Sequence, residues 1–208
     1  MARTDDYNKA LELAKQELRS RNPLRVCRLS GGLCIEKEAQ PTGIRLMFLH
    51  RMVTISWPDL GFHHASGRGE VPIKQQILIL HYLNGATKEN LTGEWISYQD
   101  LPSAKFYLDA FNRRVRYPLI NTFGDQPYQL LLVAKELFGA TQSSLGDISI
   151  QIQALPKVPI IFVLWRGDEE FPPDGTILFD SSIKDILSAE DVSELSSQIV
   201  YPLIAKAR

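Results

Sequence analysis

The stretch VPIIFVLWRGDEEFPPDGTILFD, residues 158–180, decides the fold class. From Val158 to Trp165 it is apolar throughout, which is the pattern of a strand covered on both faces. The acidic run Asp168–Glu170 and a pair of prolines follow, and TILFD then has the composition of another short strand. The stretch therefore predicts a buried strand, a stiff polar turn and a further strand.

Other strand patterns lie on both sides of a helical middle region. DISIQIQAL, just upstream, alternates isoleucine with Ser and Gln, which is typical of a strand with one solvated face. VCRLSGGLCIE predicts a tight hairpin around its glycines. GIRLMFLHRMVTISWP predicts a longer hairpin with an alternating apolar face. The residues expected on that face are Met47, Leu49, Val53, Ile55 and Trp57.

Helical periodicity fills most of the remaining chain. The predicted helices cover residues 6–20, 72–85, 103–124 and 125–139, and a last one begins at Ser188. Ser103 is the expected cap of the third helix, and Pro118 inside it predicts a kink or break. The order helix, strands, helices, strands, helix indicates an α+β fold. We expect a single, largely antiparallel sheet packed by four or five helices.

The length of 208 residues predicts a single domain over residues 1–208. Within it we distinguish an N-terminal helix and hairpins over 1–70, a helical middle over 71–140, and C-terminal strands with a helix over 141–208. Hydrophobic content of 44% is ordinary for a globular chain that buries a full core.

Charge and hydropathy exclude several partners. The net charge of −1 lacks the basic excess that releases counterions from nucleic acid, so no nucleic-acid partner is expected. The longest apolar run is far shorter than the roughly 20 residues that span a bilayer, so no membrane is expected. The N-terminus is charged and amphipathic, without the apolar core of a signal peptide. We therefore predict a cytoplasmic protein.

The two cysteines, Cys27 and Cys34, are expected to be thiols in that compartment. The predicted tight hairpin would place them opposite each other, where a bridge or a shared metal is geometrically conceivable. With His63 and His64 a Cys₂His₂ zinc site can be drawn, but the Cys-x₆-Cys spacing fits no standard zinc pattern. Two buried, inert thiols are the favoured reading, and we assign no metal site.

Four stretches together carry a resemblance to a known family. They are QILILHYLNGA, LTGEWISYQDLPSAKFYLDAF, LPKVPIIFVLWRGDEEFPPDGTILFDSS and LSAEDVSEL. The chain resembles the domain of unknown function 3786 family of bacteria and archaea over nearly its whole length. The resemblance implies an anaerobe context, in which some relatives carry an additional iron–sulfur segment of the kind found in corrinoid proteins. This chain has only two cysteines and departs from that version.

Candidate binding residues include charged side chains near the decisive stretch. Asp168 and Glu170 could converge on a cation or an amine if the strand continued, although a solvated turn is the favoured reading. Arg113, Arg114 and Arg116 could pair with these carboxylates and fasten a helix to the sheet. If the two groups do not meet, the arginines could receive a phosphate or carboxylate ligand instead. Asp180 is expected to cap the serine turn that follows it.

Aromatic and imidazole side chains supply the second candidate site. Trp95 and Tyr98 lie near a strand-to-helix junction and suit a flat ligand, although such clusters are mostly core. His63 and His64 lie in a glycine-rich loop, where ligand-facing residues are common. His81 lies on an apolar helix, where it is usually a core residue, but it too could ligate a tetrapyrrole metal.

Three functional hypotheses remain open from the sequence. The first is a binding or accessory module for a flat redox cofactor, a corrinoid or another tetrapyrrole, held by Trp95, Tyr98, His63, His64 and His81. The second is an enzyme acting on a small anionic substrate, bound by Arg113, Arg114, Arg116, Asp168 and Glu170, with a carboxylate as general base. The third is a protein-interaction domain without a small-molecule site. The preference for the cofactor module rests on the family resemblance, and no catalytic residue is assigned.

Overall fold

The computed structural model describes residues 2–67, 69–88 and 90–208. The chain forms two compact units, each assembled from separate stretches of sequence. The first unit comprises Met1–Asn90, Leu155–Lys157 and Asp185–Leu187, and the second comprises Leu91–Ala154, Val158–Lys184 and Ser188–Arg208. The prediction of a single domain over residues 1–208 stays a prediction.

The α+β class is confirmed, but the prediction of a single sheet is wrong. The described residues form one four-stranded and one five-stranded sheet. They also form six helices if the continuous run over 108–123 counts as one. Two sheets arise because the strands before residue 65 pair only among themselves, whereas the strand at 95–97 pairs with a C-terminal strand. Within the described ranges, every helix is too short or too polar to cross a lipid bilayer.

The first unit combines three helices with an antiparallel meander. Its helices are α1 (Ala2–Arg19), α2 (Pro23–Ser30) and α3 (Ile73–Gly85). Its strands are β1 (Leu33–Lys37), β2 (Gln40–Phe48), β3 (Arg51–Ser56) and β4 (Phe62–His64). They pair in the order β1-β2-β3-β4. The predicted N-terminal helix is thereby confirmed.

The tight hairpin predicted around Ser30–Gly32 is wrong, because its first arm is the helix α2. The Asn22 side chain accepts a hydrogen bond from the Arg25 backbone N–H at 3.1 Å, which caps the helix. Pro23 occupies the first turn, where its missing N–H costs nothing. Gly31, at a φ of 68°, ends the helix in the left-handed conformation that glycine adopts without strain. Local capping thus outweighs the short apolar runs that suggested strands.

The longer hairpin over β2 and β3 is confirmed. On β2, however, the buried face is shifted by one residue from the predicted one. Leu49 and His50 form its turn and both have positive φ. Leu46 pairs with Val53 and Ile44 with Ile55, and these four side chains are buried. Met47, predicted to share that face, is exposed. A two-residue turn fixes the register, and a shift of one residue moves every side chain to the opposite face.

Tyr82 on α3 connects separate segments of this unit through two hydrogen bonds of its hydroxyl. Its hydroxyl donates to the carbonyl of Ser30, the last residue of α2, at 2.5 Å. It also accepts a hydrogen bond from the Lys157 backbone N–H at 3.1 Å. Burial raises the pKa of Tyr82, and the bond from Lys157 opposes this only in part. The phenol therefore stays protonated and holds the C-terminal end of α2.

The second unit places helices against a five-stranded antiparallel sheet of order β5-β9-β8-β7-β6. The strands are β5 (Trp95–Ser97), β6 (Thr141–Ser143), β7 (Ile148–Leu155), β8 (Val158–Trp165) and β9 (Asp174–Asp180). The helices are α4 (Leu108–Phe111), α5 (Tyr117–Phe123), α6 (Pro127–Phe138) and α7 (Ala189–Ala207). The all-apolar strand is confirmed as β8, buried from Val158 to Leu164.

The helix termini of this unit agree only partly with the sequence patterns. Ser188 caps α7 as predicted, because its side chain accepts from the Asp191 N–H at 3.1 Å. Ser103 caps no helix, and α4 begins only at Leu108. Pro118 was expected to kink or break the helix. The irregularity lies instead in a π-helical turn over Asn112–Arg116, immediately before α5. The π turn keeps the run continuous, so the chain bends without separating into two distant helices.

Candidate functional site

The acidic run after β8 is a self-contained turn. The Oδ1 atom of Asp168 accepts hydrogen bonds from the backbone N–H groups of Glu170 at 2.9 Å and Phe171 at 2.7 Å. The Asp168 N–H donates to the carbonyl of Phe171 at 2.8 Å. The hydrogen bonds to its carboxylate lower the pKa of Asp168, and the bond from Phe171 has the largest effect. The role of Asp168 and Glu170 in substrate binding stays a prediction, while the geometry gives Asp168 a structural role in the turn.

The predicted arginine–carboxylate clamp exists, but with another carboxylate. Arg116, in the π-helical turn, donates from Nε to the Gly175 carbonyl at 2.7 Å and pairs with Asp174 at 2.5 Å. This fastens the helix to the start of β9. Arg113 pairs instead with Asp109 one turn earlier at 3.6 Å, and Arg114 is exposed. The three arginines are thus differently engaged, and their role in substrate binding stays a prediction.

Replacing Arg116 with lysine should lower the free energy of unfolding by about 1–2 kcal/mol. Lysine carries a positive charge but cannot donate in two fixed directions to the Gly175 carbonyl and the Asp174 carboxylate. Urea denaturation of the full chain measures the change. The matched control is Arg114→Lys, on the same turn, which should stay within about 0.5 kcal/mol of the unmodified chain. Equal stability of the two variants would contradict the clamp.

The two predicted cofactor-binding aromatics differ sharply in access. Tyr98 is 2% exposed. Its ring stacks on Phe111 with centroids 3.8 Å apart, and its hydroxyl donates to the Ala189 carbonyl at 2.8 Å. Burial raises the pKa of Tyr98 to about 12. A ligand could reach this ring only by displacing core side chains. Trp95, on the edge strand β5, is 37% exposed and remains accessible.

The three predicted histidines all lie in the first unit, whereas Trp95 and Tyr98 belong to the second. His63 and His64 lie on β4, opposite Thr54 and Val53 of β3, and His63 is exposed. His81 is half-buried on α3. Among the described residues, no group of three or more His, Cys, Asp and Glu side chains is arranged to hold a metal ion. Their role in cofactor binding stays a prediction.

Asp180, the last residue of β9, organises more of the second unit than the sequence indicated. Its predicted cap is confirmed, because Oδ1 accepts from the Ser182 N–H at 3.0 Å. The same carboxylate also accepts from the backbone N–H groups of Thr92 at 3.1 Å and Gly93 at 2.7 Å. Burial disfavours its charge, but these hydrogen bonds outweigh burial and lower the pKa of Asp180 to about 2. The carboxylate is a buried structural anion that joins the start of β5 to the end of β9.

A cleft in the first unit is large enough to hold a small ligand. It has a volume of about 400 Å³ and lies among the end of α1, the start of α2 and the end of α3. Its lining residues are Ser20, Arg21, Asn22, Arg25, Val26, Leu29, Leu83, Ala86 and Thr87. Arg21 is positioned by Glu17, with Nη2 and Oε1 2.7 Å apart. Two arginines thus line the cleft together with a valine, two leucines and an alanine.

Cys27 and Cys34 form a disulfide, so the prediction of two thiols is wrong. Their Cα atoms lie 5.7 Å apart, within the range that a disulfide can bridge. The bond joins α2 to β1, not the two arms of one hairpin. The helix brings the two residues together because it shortens the chain between them.

The fold and the cleft together define a class: an α+β protein with two antiparallel sheets and a cleft lined in part by arginines. Within that class, the sequence model of the family described as "Domain of unknown function (DUF3786)" matches residues 22–201. The chain therefore belongs to this family, as its four characteristic stretches indicated. No curated protein and no solved structure is matched by the chain.

Proposed function

We propose that this protein is a binding module for a small anionic ligand, held in the cleft among α1, α2 and α3. The observation that supports it is the presence of Arg21 and Arg25 among the lining residues of a cleft that is otherwise partly apolar. Arginine guanidinium groups bind carboxylates and phosphates through paired N–H donors. The N-terminus of α2 opens onto the same cleft, and its dipole adds to the preference for an anion.

The dimensions of the cleft favour a metabolite-sized ligand. A volume of about 400 Å³ is near the lower end of the range for small-molecule sites. Val26 and Leu29 line the cleft and give it a small apolar surface, because each is slightly exposed there. We therefore infer a ligand with one carboxylate or phosphate group and a short apolar portion. We also propose the cytosolic location that the sequence predicts, because such metabolites are abundant there.

The flat-cofactor hypothesis is the second proposal, and the exposure of Trp95 favours it. Tyr98 contributes less than expected, because its ring belongs to the core. Replacing Trp95 with alanine separates a ligand-binding role, in which cofactor binding is lost, from a structural one, in which only stability falls. A corrinoid or another tetrapyrrole is a large macrocycle and suits an open surface around Trp95 better than the cleft.

Replacing Arg25 with glutamine should weaken the binding of an anionic probe to the cleft about tenfold or more. Phenyl phosphate is a suitable probe because it joins a phosphate to a small apolar ring, and phenol is its uncharged counterpart. Isothermal titration calorimetry at low ionic strength measures both affinities. Glutamine retains the stem and polar character of arginine but not its charge.

The matched control for Arg25→Gln is Arg28→Gln, an exposed position on the same helix outside the cleft lining. Both variants remove one positive charge, so a general electrostatic effect would weaken binding equally. The proposal expects loss only for Arg25→Gln and much weaker binding of phenol than of phenyl phosphate. Equal affinity of the two variants, or absence of phenyl phosphate binding by the unmodified chain, would overturn it.

A further inference from the structure

We infer that the Cys27–Cys34 disulfide is a redox-modification site, reduced by thiol–disulfide exchange with a dithiol, and that its state controls the cleft. Its effect on the cleft rests on the proposed anion-binding function, whereas the exchange chemistry does not. Both cysteines are accounted for by this bond, and the described residues contain no free cysteine. Disulfides in reducing compartments are mostly transient or redox-sensing. With the predicted cytosolic location, this pair fits that class.

The two cysteine residues differ in exposure, which gives the proposed exchange a direction. Cys27 is 5% exposed on the buried side of α2, whereas Cys34, near the start of β1, is only partly buried. A thiolate from solvent therefore attacks the Cys34 sulfur and expels Cys27 as the leaving thiolate. The second thiol of the reductant then attacks its own sulfur in the mixed disulfide and releases Cys34. Two electrons and two protons pass from the dithiol to the pair, and no other reactant is needed.

The bond lies beside the cleft-lining part of α2. The Cys34 sulfur is 3.8 Å from the carbonyl oxygen of Pro23, in the first turn of that helix. Pro23 directly follows Asn22 and precedes Arg25 by two positions, and both of these line the cleft. The disulfide therefore holds the turn that presents Arg25, because it ties the helix to the sheet at this point.

The opposite end of α2 has an independent attachment. The Ser30 carbonyl accepts the hydrogen bond from the buried Tyr82 hydroxyl, and Leu29 is buried in the core. Reduction should consequently loosen the first turns of α2 while the last turn stays in place. Arg25 then loses its fixed position. Anion binding must order it again, and this loss of conformational entropy weakens the affinity. The reduced protein should bind the anion at least about fivefold more weakly.

The exchange is tested on the intact oxidised chain with glutathione and dithiothreitol. Glutathione should form a mixed disulfide on Cys34 and not on Cys27, as peptide mass spectrometry shows. Dithiothreitol should release two thiols under native conditions, without loss of the overall circular dichroism. A glutathione adduct on Cys27 would contradict the direction of the exchange, and thiols released only after unfolding would show a purely structural disulfide. Either result would overturn the inference.

The coupling to the cleft is tested with the same phenyl phosphate titration on oxidised protein, reduced protein and the Cys27→Ser/Cys34→Ser double variant. Reduced and double-variant proteins should bind at least about fivefold more weakly. Their amide hydrogen exchange should be faster over residues 22–26 than over 28–30. Equal affinities and equal exchange in all three forms would overturn the coupling while the anion site stands. If no form binds phenyl phosphate, the proposed function fails, and the glutathione result still decides the exchange site.

Discussion

Alanine at position 85 should destabilise the protein by about 3 kcal/mol or more, although alanine is the better helix former. Gly85 is the last residue of α3, and a Cβ atom there would overlap the carbonyl oxygen of Ile186. The same Cβ would lie 2.7 Å from the Ile186 carbonyl carbon and 2.9 Å from its Cα. Backbone atoms cannot rotate away as a flexible side chain can, so α3 or the chain around Ile186 must shift. Urea denaturation and the soluble yield measure the loss.

The sign of the change in the free energy of unfolding tests whether Gly85 packs closely against the Ile186 backbone. Helix propensity alone predicts a gain of about 1 kcal/mol from this substitution. Gly67→Ala is the control, because a Cβ at Gly67 meets no atom within 4 Å. Its φ of 65° limits the expected cost to left-handed strain of about 1 kcal/mol. Stability of Gly85→Ala equal to or above that of the control would contradict the packing of glycine against Ile186.

Features governed by neighbouring residues could be predicted from the sequence. The burial of β8 on both faces was visible because eight consecutive apolar residues leave no solvated side. The Ser188 cap was visible because Asp191 has the spacing of a capping box. The hairpin of β2 and β3 was visible from alternation, but the face was not, since two turn placements one residue apart give opposite faces.

Features that depend on distant residues could not be predicted. The division into two sheets depends on which strands pair, and alternation describes each strand without its neighbour. The α2 helix was missed because its eight residues carry only one full apolar turn, and the cap at Asn22 is a weak signal in isolation. The disulfide was geometrically conceivable from the sequence but was not predicted, because the expected cytoplasmic location favoured thiols.

The candidate site shows the same division. The sequence identified arginines near 116 and acids after β8, but it could not choose Asp174 over Asp168 as the partner. The choice follows from the turn, in which Asp168 is occupied by two backbone N–H groups. The cleft was missed because its lining comes from three helices whose ends are separated in sequence. Arg25 carried no recognisable motif.

Replacing Asp180 with asparagine should lower the free energy of unfolding at pH 7 by about 3 kcal/mol. The carboxylate is 3% exposed and accepts hydrogen bonds from Thr92, Gly93 and Ser182. Asparagine has one oxygen and one NH₂ group, so at least one backbone N–H would face another donor. Thr92 and Gly93 lie just before β5, so the loss of their hydrogen bonds should first weaken the pairing of β5 with β9. Urea denaturation and amide exchange over residues 92–97 measure both effects.

The same carboxylate predicts a defined dependence on pH. Its pKa is about 2 in the folded protein and 3.8 as the reference value, so the unfolded chain binds the proton more readily. The stabilisation is complete above about pH 5 and is lost as the pH falls towards 2, by about 2 kcal/mol. The stability gap between the unmodified chain and Asp180→Asn should narrow over that interval. Asp168→Asn is the control, since its carboxylate also accepts two backbone N–H groups but is exposed. An equal loss in both variants, or a gap that stays constant from pH 5 to 2, would show that Asp180 does not act as a buried anion.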